Sequence, residues 1–320
     1  MARITIARRM PQPVLDRLRA AGHELVEGET DAPLDQAGLV RALQDSDGVL
    51  VSVGDRIDAE TLEAGGARRA GIVANFGVGV NHIDLEAAKE RGVVVTNTPD
   101  VLTDATADLA MALILTATRR MSESEAALRR GDWRGFSPTG GLGVGLQGKT
   151  LGILGMGRIG QATARRAVLG FGMKAIYFNR SPQGPFDFPA EARPSLEAVL
   201  AEADVVSLHL PGGDGNARAL SAERIARMKP GAYLVNTARG DVVDEPALIA
   251  ALAEGRLAGA GLDVFAEEPK VPQALIDMPH VTLLPHIGSA TIETRTAMGL
   301  LAADNLVAWF AGEPLPSRVA

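Results

Sequence analysis

The chain has 320 residues, 46% of them hydrophobic and 22% charged, with a net charge of −7. This length suits two domains of ordinary size, and the acidic balance argues against nucleic acid or an anionic membrane as the main partner. Cysteine is absent, which excludes disulfides, cysteine metal sites and a thiol nucleophile.

In chain order, the first hundred residues alternate short apolar runs with helical patterns. Strands are expected at Arg3–Ala7, Glu24–Val26, Gly48–Ser52, Gly71–Asn75 and Val93–Thr96, and helices at Val14–Ala21, Leu34–Gln44, Ala59–Ala64 and Leu85–Arg91. Asp104–Met121 is apolar on much of its surface and predicts one long buried helix, with Asp100 and Thr103 as candidate caps. The longest apolar run, near Leu109–Ala117, is too short to span a membrane, and the N-terminus lacks an apolar signal segment, so a cytoplasmic protein is expected. Gly131–Gly148 is a glycine-rich excursion whose Trp133 and Phe136 suggest docking on a second subunit. Beyond it a second strand set is expected at Thr150–Leu154, Lys174–Phe178, Val205–Leu210, Ala232–Asn236, Gly259–Val264 and Val281–Leu284, followed by a closing helix over Thr291–Phe310 that Gly312 and Pro314 stop. Strands alternating with helices predict an α/β protein with two doubly wound parallel sheets, and ligands bind such sheets at the carboxyl ends of their strands.

The strand Thr150–Leu154 runs directly into Gly155-Met-Gly157-Arg158-Ile159-Gly160, and a helical pattern follows. With 36 glycines in the chain, this spelling is expected by chance on the order of half a time, so its flanks carry the argument. Gly143-Val-Gly145-Leu-Gln-Gly148 has the same spelling without those flanks and reads as a loop. The flanked motif predicts a dinucleotide seat: a tight turn, a close approach of backbone to pyrophosphate, and a helix N-terminus facing the anion. The next strand ends in Asn179-Arg180-Ser181 where NAD-binding chains place an acid for the ribose 2′-hydroxyl. Without that carboxylate, and with Arg180 available to a 2′-phosphate, NADPH is expected over NADH, although NADH use stays possible. An ordinary exposed turn is the alternative at that position.

Three later strands end in reactive side chains: Asn236-Thr237-Ala238-Arg239-Gly-Asp241, Asp263 to Glu268-Pro269, and Pro285-His286-Ile-Gly288-Ser289. Carbonyl reduction needs a hydride source, a proton donor and a cation for a neighbouring carboxylate, which His286, Glu268 and Arg239 suit as residue types. Their spacing does not single out His286 from His23, His82, His209 and His280.

Those segments, the Gly155 motif, Asn75-Phe-Gly-Val78-Gly79-Val-Asn-His-Ile-Asp84 and Thr98-Pro99-Asp100-Val-Leu-Thr103-Asp-Ala-Thr106 together resemble the D-2-hydroxyacid dehydrogenase family over essentially the whole chain. Similarity to its glyoxylate/hydroxypyruvate reductase branch is particular. The resemblance implies a Rossmann cofactor domain and a flavodoxin-like substrate domain. It makes His286 the general acid, Glu268 its partner and Arg239 the holder of the substrate carboxylate and carbonyl. Val78 and Gly79 would offer backbone N–H groups to that carboxylate, with Ser289 nearby. Cofactor contacts are implied for Thr106, Gly155, Gly157, Arg158, Ile159, Gly160, Asn179, Arg180, Ser181, Leu210, Pro211, Asn216, Thr237, Ala238, Asp263 and Gly288, and no metal. The implied product is the D (R) acid where it is chiral.

Two departures from the family pattern stand out. Gly212-Gly213-Asp214-Gly215-Asn216 replaces a Leu-Thr-Pro run and a Thr, which predicts a looser loop. Thr139-Gly140 falls where some relatives carry an aromatic side chain that completes the partner's pocket. The expected domains are 1–99 with 288–320 for substrate and 100–287 for cofactor, with 104–148 as a homodimer contact. The expected function is NADPH-preferring reduction of glyoxylate and hydroxypyruvate. Reduction of another 2-oxo acid such as 2-keto-gluconate, or an NAD(P)H-sensing binding protein, are the alternatives.

Overall fold

A computed structural model describes residues 1–64, 69–213 and 215–320; Asp214, within the loop expected to be loose, lies outside them. The chain begins β1 (Arg3–Ile6), α1 (Gln12–Ala20), β2 (Glu24–Glu27), α2 (Gln36–Asp45), β3 (Gly48–Ser52), α3 (Ala59–Ala64), β4 (Ile72–Phe76), α4 (Leu85–Glu90) and β5 (Val94–Thr96). It continues with α5 (Thr103–Thr118), α6 (Met121–Arg129), β6 (Thr150–Leu154), α7 (Arg158–Phe171), β7 (Lys174–Phe178), β8 (Glu191–Ala192), α8 (Leu196–Glu202) and β9 (Val205–Leu208). The last elements are α9 (Ala222–Arg227), β10 (Tyr233–Asn236), α10 (Glu245–Ala253), β11 (Gly259–Leu262), α11 (Gln273–Ile276), β12 (Val281–Leu283) and α12 (Ile292–Ala311).

Two compact units result. One is Met1–Leu102 with Ser289–Ala320; the other is Thr103–Gly288. The first holds a five-stranded parallel sheet, β2-β1-β3-β4-β5, and the second a seven-stranded parallel sheet, β12-β11-β10-β9-β6-β7-β8. Both are doubly wound, because the strand order reverses at β1/β3 in one and at β6/β9 in the other.

The central strands of the larger sheet are buried on both faces, as parallel strands under helices must be. Their alternation shows in the core: Val206 and Leu234 join one apolar cluster, while their neighbours Val205 and Val235 join another. In the smaller unit α12 completes the core. Thr291 caps its start by accepting from the Thr294 N–H, and Gly312, at φ 72°, ends it in the left-handed region. A Cβ on Gly299 would run into Val14, so the absence of a side chain lets α12 lie against α1.

The expected single helix over Asp104–Met121 is two helices. Arg120 breaks it at φ 53°, Thr118 donates its hydroxyl back to the Ile114 carbonyl at 2.7 Å, and α6 starts beyond. Thr103 is the first residue of α5 and not its cap. The returning excursion meets the end of α5, where the Val144 N–H donates to the Thr118 carbonyl at 2.8 Å. A Cβ on Gly143 would stand 2.5 Å from that same oxygen, which explains a glycine in this loop without any phosphate. No helix among the described residues is long and apolar enough to cross a membrane.

Candidate active site

Three neighbouring strands of the larger sheet deliver the reactive side chains. After β10, Asn236 turns the chain on itself: its Oδ1 accepts from the Ala238 N–H at 2.9 Å and its Nδ2 donates to the Arg239 carbonyl at 2.8 Å. The half-buried Arg239 follows, donating from Nη1 to the Ala238 carbonyl at 2.7 Å. Burial lowers the Arg239 pKa, and the Glu268 and Asp241 charges oppose that shift. A Cβ on Gly240 would overlap the Phe265 carbonyl group, so glycine lets the segment after β10 press against the one after β11.

After β11, Asp263 is 1% exposed. Its carboxylate accepts from the Ile287 N–H at 2.7 Å and from the Gly288 N–H at 2.8 Å, and its backbone carbonyl accepts from the His286 N–H at 2.9 Å. Burial raises the Asp263 pKa against these hydrogen bonds and the nearby His286. Glu268 reaches back, its Oε1 accepting from the Phe265 N–H at 3.1 Å, and its Oε2 stands 2.8 Å from His286 Nδ1. Burial pushes the Glu268 carboxyl up. The hydrogen bond and charge of His286, the Phe265 N–H and Arg239 outweigh it and hold the pKa below the ordinary value. With Glu268 accepting at Nδ1, the other ring nitrogen of His286 is the one left to face a substrate.

In the Gly155–Gly160 turn two glycines are closely packed and one is open. Gly155 lies at φ 95°, and a Cβ there would stand 2.6 Å from the His209 carbonyl oxygen. A Cβ on Gly160 would strike the Gly155 carbonyl, whereas one on Gly157 would meet open space. Gly157 also caps α7 without a side-chain hydrogen bond, at a helix N-terminus whose dipole favours an anion. Asn179 Oδ1 accepts from the Met156 N–H at 3.0 Å, and Nδ2 donates to the carbonyl and hydroxyl of Ser181. Its amide is thus spent on bracing the turn, while Arg180 is exposed. Asn216 donates to the Pro211 carbonyl at 3.0 Å, closing the loop after Leu210. Thr106 is buried beside Gly288. Thr237 is buried, and its Oγ1 finds no partner among the described residues. A helix N-terminus capped by glycine, a glycine with room before it and an orphaned hydroxyl fit a dinucleotide.

Val78, Gly79 and Ser289 belong to the other unit. Among the described residues no acceptor meets the N–H of Val78 or Gly79. The residues alone did not reveal the bracing roles of Asn236 and Asp263, since each acts through backbone groups that leave no spacing pattern. Among the described residues no cluster of three His, Asp or Glu could hold a metal ion.

Comparison with known proteins places this architecture. The model of the D-isomer specific 2-hydroxyacid dehydrogenase NAD-binding domain matches residues 111–288. A glyoxylate reductase of Thermococcus litoralis is 48% identical over 287 residues, 88% of this chain and 86% of its own. One of Pyrococcus furiosus is 45% identical over 99% of this chain and 95% of its own. The crystal structure of an NADPH-dependent glyoxylate/hydroxypyruvate reductase from Sinorhizobium meliloti, with NADP and malonate, superposes with a TM-score of 0.88. It is 39% identical and covers 99% of this chain and 96% of that one. The chain therefore belongs to the D-isomer specific 2-hydroxyacid dehydrogenase family and is an NAD(P)-dependent oxidoreductase.

Proposed function

We propose that this enzyme reduces glyoxylate and hydroxypyruvate, preferring NADPH. The observation that carries the reading is the 2.8 Å pair of His286 and Glu268 on a turn held by Asp263, with Arg239 presented from the adjoining strand. Relatives that reduce glyoxylate share most of the chain's length. Residues 103–288 act as the cofactor domain, and 1–102 with 289–320 as the substrate domain.

Arg239 holds the substrate carboxylate and polarises the adjacent carbonyl; in the other unit, the N–H groups of Val78 and Gly79 suit a carboxylate oxygen. When bound, the nicotinamide supplies the hydride that the carbonyl carbon receives. His286 delivers a proton from Nε2 to the carbonyl oxygen, and Glu268 steadies the charged ring before that transfer. The α7 N-terminus and Gly157 would receive the pyrophosphate, Thr237 and Asp263 would hold the nicotinamide, and exposed Arg180 would meet the 2′-phosphate.

The test is the initial rate of NADPH oxidation with glyoxylate, with NADH run beside it. Faster turnover with NADPH supports both substrate and cofactor readings. Turnover with NADH alone discards the role of Arg180. No rate with glyoxylate or hydroxypyruvate but a rate with 2-keto-gluconate overturns the substrate.

A further inference from the structure

The loop after β4 has an internal frame that no part of the reaction uses directly. Each carbonyl from Gly77 to Val80 is engaged within its own unit. Gly77 O accepts from Asn75 Nδ2 and from the Thr98 N–H, each at 3.0 Å. Val78 O accepts from Asn97 Nδ2 at 2.9 Å, Gly79 O from the same Asn75 Nδ2 at 3.0 Å, and Val80 O from the Ile83 N–H at 2.9 Å. Successive peptide units whose oxygens are tied inward leave their N–H groups to form an anion-binding concavity.

Asn75 is the hub, and it is fully buried. Because its Nδ2 lies against two carbonyls, which only accept, the orientation of the amide is fixed and Oδ1 must be an acceptor. His82 Nε2 stands 3.0 Å from that oxygen, so Nε2 carries a proton and donates. The chain of donation runs from His82 to Asn75 to the carbonyls of Gly77 and Gly79. Both ends of the buried Asn75 amide are satisfied, as a buried polar group requires.

We infer that Asn75 and His82 are positioning residues for the substrate carboxylate: Asn75 turns the Gly77 carbonyl inward, which fixes the Val78 N–H of the same peptide unit, and it holds the Gly79 carbonyl on the far side of the Gly79 N–H, whose own peptide unit Asn97 holds through the Val78 carbonyl, so that the two N–H groups form a preformed anion cradle. This rests on the reduction of 2-oxo acids proposed above. Neither side chain touches the substrate. Loss of the frame loosens the cradle, which weakens carboxylate binding while the hydride and proton steps keep their own residues.

The experiment compares wild type with His82→Leu and His82→Gln, the latter keeping a donor near the position of Nε2. Asn75→Asp sets a carboxylate against two carbonyls and is the harsher variant. For each, KM and kcat with glyoxylate, KM for NADPH, the inhibition constant of oxamate (an unreactive glyoxylate mimic) and Tm are measured. The expected result for His82→Leu is a rise on the order of tenfold in both glyoxylate KM and oxamate Ki, with kcat within about twofold and cofactor KM unchanged. His82→Gln regains most of the loss. If wild type reduces glyoxylate and His82→Leu keeps its KM and Ki, this inference fails alone. A loss that falls on kcat, or that tracks a lower Tm and is not rescued by glutamine, also overturns it. A wild type that neither reduces nor binds any 2-oxo acid overturns the functional reading and this inference together.

Discussion

Asp263 grips the turn that carries His286 at three points: its carbonyl takes the His286 N–H, and its two carboxylate oxygens take the N–H groups of Ile287 and Gly288. His286 lies at φ 54°, a left-handed conformation that non-glycine residues rarely adopt. Such strain persists where surrounding contacts over-determine it. In Asp263→Asn one oxygen becomes an NH₂ facing a backbone N–H, so a buried donor loses its acceptor at a cost of about 1–3 kcal/mol. The expected outcome is a fall in kcat for glyoxylate reduction on the order of tenfold to a hundredfold, read by steady-state kinetics with the fold retained by circular dichroism. Wild-type kcat in that variant would remove Asp263 from the account.

The Glu268 carboxyl is a second linkage, and its sign follows from its lowered pKa. A carboxyl depressed on folding binds its proton more readily when unfolded, so it contributes stability above its ordinary value of 4.5. That contribution is lost as pH falls through the lower folded value. Urea melts of wild type and Glu268→Gln should therefore differ by a constant amount at neutral pH, and the difference should shrink below pH ~4.5. A gap that stays constant into the acid range would show that the carboxylate charge plays no part. The same variant should lose kcat/KM at neutral pH by roughly tenfold or more, because glutamine bears no charge to steady a protonated ring.

These two residues also show what the sequence could and could not disclose. The strands Gly48–Ser52, Thr150–Leu154 and Lys174–Phe178 have the bounds their apolar runs predict, because a buried parallel strand is written as an unbroken apolar segment. Val205–Leu210 stops at Leu208, since the His209 carbonyl packs on Gly155 instead of continuing the ladder. The break at Arg120 has no glycine or proline to announce it, and α6 buries no residue, so no apolar stripe marks it. His286 could not be chosen among five histidines from spacing. What sets it apart is a set of backbone bonds to Asp263, more than twenty residues earlier, that only folding brings together. The pairing of Asn75 with His82 is equally silent, for it depends on which way one buried amide faces.

Residues 104–148 are proposed as the contact between two copies of the chain. Beyond α5 this stretch exposes large apolar side chains in close succession: Leu128 at 57%, Trp133 at 66%, Phe136 at 91% and Leu142 at 64%. Four large apolar side chains exposed within one stretch of chain are the kind of residues an interaction face uses. Light scattering should give twice the 33.4 kDa chain mass. Phe136→Asp should shift the species towards monomer by placing a charge in the contact. A monomeric wild type at micromolar concentration would sink the assignment.

The glycines of the cofactor turn separate folding from binding. At Gly160 a Cβ meets the Gly155 carbonyl, which is backbone and has little freedom to move. Gly160→Ala should therefore cost stability, about 1–3 kcal/mol for an overpacked core position, seen as a lower urea midpoint. At Gly157 a Cβ meets nothing within 4 Å, so Gly157→Ala should leave the midpoint within error. In the proposed cofactor site the pyrophosphate approaches the α7 N-terminus where this methyl group would stand, so the KM for NADPH should rise on the order of tenfold. Equal stability loss in the two variants would mean that Gly157 serves the fold. Equal cofactor affinity in Gly157→Ala and wild type would mean that the pyrophosphate does not approach the α7 N-terminus at that point.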